Sequence, residues 1–132
     1  MGAGGVIRET INVVTLDSIL QEFIDDDVII GGIKSDTEGF EENVLRGGMK
    51  FFNYFKPKYI QMEVNKSMPR VGLTYLGLFN LILELGYEMH RGSFAGSIMF
   101  NQADMNGFQE AEDLFLILNP NAKSDVERLM AQ

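Results

Sequence analysis

Three acidic residues follow apolar stretches that have the composition of buried strands. Asp36 and Glu38 come just after the apolar run at residues 28–34, and the run at residues 59–62 leads directly into Glu63. In open α/β sheets, ligands bind outside the carboxyl ends of the strands. Two neighbouring strands that each end in a carboxylate therefore predict an active-site crevice. A carboxylate placed there can orient or deprotonate a substrate hydroxyl.

Each of these acids also has a structural interpretation. Asp36 is a good residue type for the N-cap of the following helix. Ser35 and Glu38 have the spacing of a capping box, so Glu38 could hold backbone amides instead of a ligand. Lys34 could form an ion pair with either acid. Asp36 and Glu63 could share a divalent cation, but magnesium usually takes several oxygen ligands, so no dedicated metal site is predicted.

Other polar and aromatic residues are given structural roles. His90 is expected in a partly buried strand away from Asp36, with a general base as the alternative. Glu41 and Glu42 are expected on a solvated helix face. The aromatic residues at 51–55 are expected to pack as part of a helix.

Composition limits the class of protein. The chain has 132 residues, a net charge of −8 and 45% hydrophobic residues, which suits one folded domain. The negative charge argues against nonspecific binding to nucleic acid or an anionic membrane. There is no cysteine and only one histidine, so zinc–thiolate and multi-histidine sites are excluded. No apolar run has the length of a membrane span, and the first residues lack the pattern of a secretory signal, so a cytoplasmic protein is expected.

Strands alternate with helices along the chain. Apolar runs predict strands at residues 28–34, 59–64, 87–91 and 114–118. Helical spacing predicts helices at residues 16–24, between the first two strands, at residues 73–85 and at the C-terminus. This order predicts βαβ units in one α/β domain, with an irregular segment at residues 1–10 and a last strand that pairs antiparallel at one side of the sheet.

Short strings between residues 13 and 118 share a recognisable spacing. They are TLDSIL at 15–20, IKSDTEGFE at 33–41, VLRG at 44–47, Pro57, Glu63 and Gly86-Tyr87. The string at 33–41 is the most specific, because its spacing agrees with the strand that precedes it. Together the strings resemble the FkbM family of S-adenosylmethionine-dependent methyltransferases. Ser35 departs from the family pattern, which more often has an apolar residue there.

The resemblance implies a partial Rossmann-like methyltransferase sheet, mostly parallel with an antiparallel last strand and helices on both faces. It implies methyl transfer from S-adenosylmethionine to a hydroxyl oxygen of a small molecule or glycan. The implied catalytic residues are Asp36, Glu38 and Glu63, and Asp36 with Lys34 would contact the donor. Asn65, Lys66 and Arg70 would contact the acceptor.

The elements that hold the donor in such domains normally precede the TLD string. Only about a dozen residues precede it here, and the glycines at residues 1–5 follow no strand. The chain is therefore expected to be the C-terminal half of the domain. The alternative is a non-catalytic remnant or a binding or oligomerisation module. In either case the strand before Asp36 would be an exposed apolar edge through which copies of the chain could associate.

Overall fold

A computed structural model describes residue 6 and residues 8–37, 39–65, 75–99 and 111–131. The elements within these ranges are α1 (Leu16–Asp25), β1 (Gly32–Ser35), α2 (Glu41–Arg46), α3 (Met49–Phe55), β2 (Tyr59–Asn65), α4 (Tyr75–Glu84), β3 (Tyr87–Arg91), β4 (Ser97–Met99), β5 (Ala111–Leu118) and α5 (Ala122–Met130). The predicted alternation of helices and strands up to β3 is confirmed, as are the final strand and the C-terminal helix.

The five strands form one mixed sheet in the order β1-β2-β5-β3-β4. β1 and β2 are parallel, whereas the other three neighbouring pairs are antiparallel. The last strand is antiparallel as expected, but it lies between β2 and β3 instead of at one side of the sheet. The expectation of a mostly parallel sheet is wrong. No helix separates β3 from β4 among the described residues, and a strand pair joined without a crossover reverses its direction.

β1 is shorter and less buried than its apolar sequence predicts. It begins at Gly32, so Val28 and Ile29 precede it, and Ile29 is 93% exposed. The continuous run at residues 28–34 resembled a strand covered on both faces. Its exposure is explained by its position, because β1 is the outermost described strand on its side of the sheet. β4 was missed altogether, since three residues are too few to show a period.

The hydrophobic core lies on one face of the sheet. The register places Ile60, Leu116 and Met89 side by side, and all three are buried. Buried side chains of the helices join this same core. The opposite face, called here the open face, is only partly covered. It carries Tyr59, Gln61, Glu63, Glu88, His90, Asp113, Phe115 and Ile117.

Helices α1, α2 and α3 are joined by close packing around two glycines. A Cβ on Gly47 would lie 3.0 Å from Cγ2 of Thr15, and one on Gly48 would lie 3.0 Å from Cδ1 of Leu16. Thr15 is the N-cap of α1, as predicted, and its side chain accepts a hydrogen bond from the N–H of Ser18 at 3.1 Å. The strings TLDSIL and VLRG therefore meet in space.

The aromatic residues of α3 pack as expected. Phe51 and Phe52 are buried, and Phe51 and Phe55 each contact the ring of Phe23 from α1 at centroid distances of 5.6 and 6.3 Å. Edge-to-face pairs of this kind favour a fixed packing of two helices. Tyr54 is the exception, because it is exposed.

Candidate active site at the carboxyl ends of β1 and β2

The two strands that were predicted to end in acids end at the same edge of the sheet. Their parallel register pairs Ser35 with Met62. Asp36 therefore follows β1 at the level where Glu63 lies on β2. The juxtaposition predicted from the sequence is confirmed at the level of strand order, direction and register.

Asp36 is available to a ligand. Its side chain is exposed, and it makes no hydrogen bond or ion pair with the rest of the described chain. It lines a cavity of about 240 Å³ together with Lys34, Ser35, Thr37 and side chains from α1, α2 and β2. The helix-cap interpretation is wrong, because the N-cap residue of α2 is Phe40 and that cap makes no side-chain hydrogen bond. Ser35, the last residue of β1, does not occupy the cap position of a capping box either.

A larger groove of about 550 Å³ adjoins this cavity. Its lining is mainly apolar and consists of Val13, Val14, Thr15, Leu16, Thr37, Phe40, Asn43, Val44 and Gly47. Thr37 lines both spaces, and its buried hydroxyl oxygen has no hydrogen-bond partner within the described part of the chain. An unpartnered buried hydroxyl is costly, so Thr37 is a candidate for a polar contact with a ligand at this junction.

Glu63 lies in an acidic part of the same edge. It is half-buried on the open face and directly opposite Asp113 of β5. The side-chain amide of Gln61 donates a 2.8 Å hydrogen bond to Asp113. Nearby, Arg91 at the end of β3 donates to both carboxylate oxygens of Glu112, at 3.1 and 2.9 Å. The described residues include no group of three or more acidic or histidine side chains arranged to hold a metal ion.

The other predicted site residues divide into two groups. Lys34 is exposed at the cavity, and it forms none of the ion pairs seen in the described chain, so the expected pairing with Asp36 is not formed. The alternative pairing with Glu38 lies outside the described residues. Asn65 ends β2 opposite Ala111, which places its backbone at the predicted edge. Glu38, Lys66 and Arg70 lie outside the described residues, and their roles stay predictions.

Two acids that were expected in solvent are buried instead. Glu41 is 0% exposed and Glu42 is 5% exposed, both in the first turn of α2. The Glu41 carboxylate accepts the backbone N–H of Gly39, at 3.1 Å to Oε2 and 3.4 Å to Oε1. Glu42 pairs with Arg46 at 3.5 Å. The sequence feature that could have indicated this burial is Gly39. Its φ of 108° shows that a tight turn lies directly before the helix.

His90 is a buried residue of a strand, as interpreted from the sequence. Two strands, β5 and β2, separate its strand β3 from β1. Its Nδ1 lies 2.9 Å from the carbonyl oxygen of Gly96, and its Nε2 lies 2.9 Å from a carboxylate oxygen of Glu88. These contacts attach the turn after β3 to the open face, and they place His90 away from Asp36.

The described residues enclose two spaces that can be compared with the size of a donor pocket. Pockets for small molecules usually measure about 300–1,000 Å³. The cavity at Asp36 is smaller, at about 240 Å³. The 550 Å³ groove is large enough, but its described lining residues include no acidic side chain that could hold ribose hydroxyls. A nucleoside donor does not fit the described residues alone and would need further residues of the protein.

The sheet and its polar edge define an α/β protein with carboxylates gathered at the carboxyl ends of two parallel strands. Residues 3–89 match the family model described as the methyltransferase FkbM domain. Because the match covers about two thirds of the chain, the chain belongs to the FkbM methyltransferase family. Searches among curated proteins and among solved structures gave no match. Within the described residues, no helix has the length and hydrophobicity required to cross a bilayer.

Proposed function

We propose that this chain takes part in S-adenosylmethionine-dependent transfer of a methyl group to a hydroxyl oxygen of a small molecule or glycan. Membership of the family supports methyl transfer in general. The observation that carries the proposal is the parallel register of Ser35 with Met62, which brings Asp36 and Glu63 to one edge. A cytoplasmic location goes with this proposal as a prediction from the sequence.

The chain's own residues would act on the acceptor. Asp36, exposed and without a described partner, would accept a hydrogen bond from the reacting hydroxyl and take its proton. Glu63 would help to orient the same acceptor from β2. Because alignment of two reactants can lower a barrier substantially, holding the hydroxyl in place is the main contribution expected of these residues. Asn65, Lys66 and Arg70 follow Glu63 along the chain and would contact other parts of the acceptor. Glu38 would act with Asp36 and Glu63 as a catalytic residue, and Asp36 with Lys34 would also contact the donor.

The proposal is tested by calorimetric titration of the full chain with S-adenosylmethionine. Micromolar binding that is at least tenfold weaker in Asp36→Asn would support donor binding by this chain and a contact of Asp36 with the donor. Asp26→Asn is the matched control, because Asp26 is an exposed acid at the opposite end of the segment that leads into β1. Millimolar or absent binding by the unchanged chain would contradict donor binding by this chain. Equal binding by the two variants would contradict the role of Asp36.

A second candidate function is a binding or oligomerisation module that does not transfer methyl groups. One observation favours it. β1 is the outermost described strand on its side, and the residues before it include the almost fully exposed Ile29. An apolar strand edge of this kind can pair with another chain. This candidate is favoured if the titration shows no donor binding and the chain self-associates.

A further inference from the structure

The fully buried carboxylate of Glu41 has an unusually small set of partners. Its only hydrogen-bond donor in the described structure is the backbone N–H of Gly39, at 3.1 and 3.4 Å from the two carboxylate oxygens. No cation pairs with it within the described residues. Burying a carboxylate with so little compensation is unfavourable for folding, so core packing alone gives little reason for an acid at this position.

Glu41 does not contact a ligand in either space at the site. It lines neither the cavity at Asp36 nor the adjoining groove. Its solvent exposure of 0% also excludes direct contact with a substrate that arrives from water. Any effect on the site must therefore be exerted through the backbone that its carboxylate holds.

That backbone belongs to the β1–α2 loop, of which the structure describes residues 36, 37, 39 and 40. Gly39 adopts a φ of 108°, a conformation that residues other than glycine rarely adopt. The N–H of Phe40 donates to the carbonyl of Thr37 at 3.4 Å. The Glu41 carboxylate, which lies on α2, provides a second contact within this loop, because it accepts a hydrogen bond from the N–H of Gly39. The two contacts fix the loop's end, while β1 fixes its start at Ser35.

We propose that Glu41 is a positioning residue, which holds the β1–α2 loop so that Asp36 and Thr37 face the cavity. This inference rests on the proposed function in so far as Asp36 acts on a ligand. The hydrogen bond from Gly39 to Glu41 holds the loop in place, and the negative charge of Glu41 is not required for this. A neutral side chain of the same length with an acceptor oxygen therefore serves the same purpose.

The test compares Glu41→Ala with Glu41→Gln in the full chain. The first removes the acceptor, whereas the amide oxygen of the second can still accept from Gly39. Glu42→Gln is the control, because Glu42 is also buried in the first turn of α2 but pairs with Arg46. Two readouts are recorded: hydrogen exchange of the Gly39 amide by NMR, and the dissociation constant for S-adenosylmethionine. Circular dichroism checks that each variant is folded.

We expect Glu41→Ala to lose protection of the Gly39 amide by at least tenfold and to bind the donor at least tenfold more weakly. Glu41→Gln should restore both to within about threefold, and Glu42→Gln should leave both unchanged. Unchanged Gly39 protection in Glu41→Ala would overturn the inference, as would a Glu41→Gln variant as defective as the alanine variant. If Glu41→Ala does not fold, the inference is tested by comparing Glu41→Gln with Glu42→Gln in the same two measurements. If the unchanged chain does not bind the donor, the proposed function fails, while the exchange data still report on the loop.

Discussion

The carboxylate of Asp17 in α1 accepts a hydrogen bond from the backbone N–H of Phe51 in α3, 34 residues further along the chain, at 2.8 Å. Its other oxygen accepts from the N–H of Lys50 at 3.3 Å. The N-cap residue of α3 is Gly48, which has no side chain to perform this function. The backbone N–H of Asp17 in turn donates to the carbonyl of Gly47 at 2.9 Å. One residue of the TLD string therefore caps a helix that is distant in sequence, which is a structural role.

Replacing Asp17 with alanine should destabilise the fold. The N–H groups of Lys50 and Phe51 would lose their acceptor, and loss of a helix cap usually costs about 1–2 kcal/mol. The free energy of unfolding, measured by urea denaturation, is the readout. Asp26→Ala is the control, because Asp26 is an exposed acid with no described side-chain hydrogen bond, and it should change stability by less than about 0.5 kcal/mol. Equal stability of the two variants would show that the cap is unimportant.

Adding one methyl group at Gly47 should also destabilise the protein. An alanine Cβ would lie 3.0 and 3.2 Å from Thr15 side-chain atoms and 3.3 Å from the carbonyl oxygen of Asn43. Overpacking of this kind costs about 1–3 kcal/mol. Gly31→Ala is the matched control, because a Cβ there would meet nothing within 4 Å. A thermal melt of both variants checks the prediction, which fails if Gly47→Ala melts at or above the temperature of Gly31→Ala.

Tyr87 should make the stability depend on pH in the alkaline range. Burial raises the pKa of Tyr87 to about 12, from the ordinary value of 10.0. The folded state therefore favours the neutral phenol. The part of the free energy of unfolding that depends on Tyr87 ionisation is constant below pH 10. It falls by about 1.4 kcal/mol per pH unit between pH 10 and 12. Tyr87→Phe should lack this decline when urea denaturation is compared from pH 9 to 12.

The same variant should cost roughly 1–1.5 kcal/mol at neutral pH, because the Tyr87 hydroxyl donates a 2.6 Å hydrogen bond to the carbonyl of Pro57. Tyr54→Phe is the control, since Tyr54 is exposed and its replacement should leave the alkaline decline unchanged. A parallel alkaline decline in wild type and Tyr87→Phe would contradict the assignment of the slope to Tyr87.

Ile29→Lys should reduce self-association of the chain. Ile29 precedes the outermost described strand and is 93% exposed, and a lysine near a strand edge opposes pairing with another strand. Light scattering over a range of protein concentrations measures the effect. Leu129→Lys on α5 replaces another exposed apolar residue and should leave association unchanged. A wild-type chain that stays monomeric at the highest concentration would contradict the prediction.

The elements with strong local patterns could be predicted from the sequence. The strand at Tyr59 and the helix that begins at Leu16 were found because their apolar residues recur with the right period. The predicted meeting of Asp36 and Glu63 followed from one further assumption, that the two strands are parallel neighbours. The register of Ser35 with Met62 satisfies it.

Features that depend on distant contacts could not be predicted in this way. The burial of Glu41 depends on Gly39 turning the chain back over it, whereas an acid in a helix is usually solvated. The exposure of Ile29 depends on which strands lie beside β1, and a run of apolar letters gives no neighbour order. The same holds for β5, whose sequence does not indicate that it separates β2 from β3.

The central position of β5 has a consequence for how the chain assembles during synthesis. β2 and β3 have no hydrogen bonds to each other, and each pairs with β5 instead. Residues 111–118 leave the ribosome after every other strand of this sheet. Until then, the sheet exists only as two separate strand pairs. A nascent chain halted before Ala111 would therefore leave the β5-facing edges of β2 and β3 unpaired, and unpaired strand edges favour aggregation.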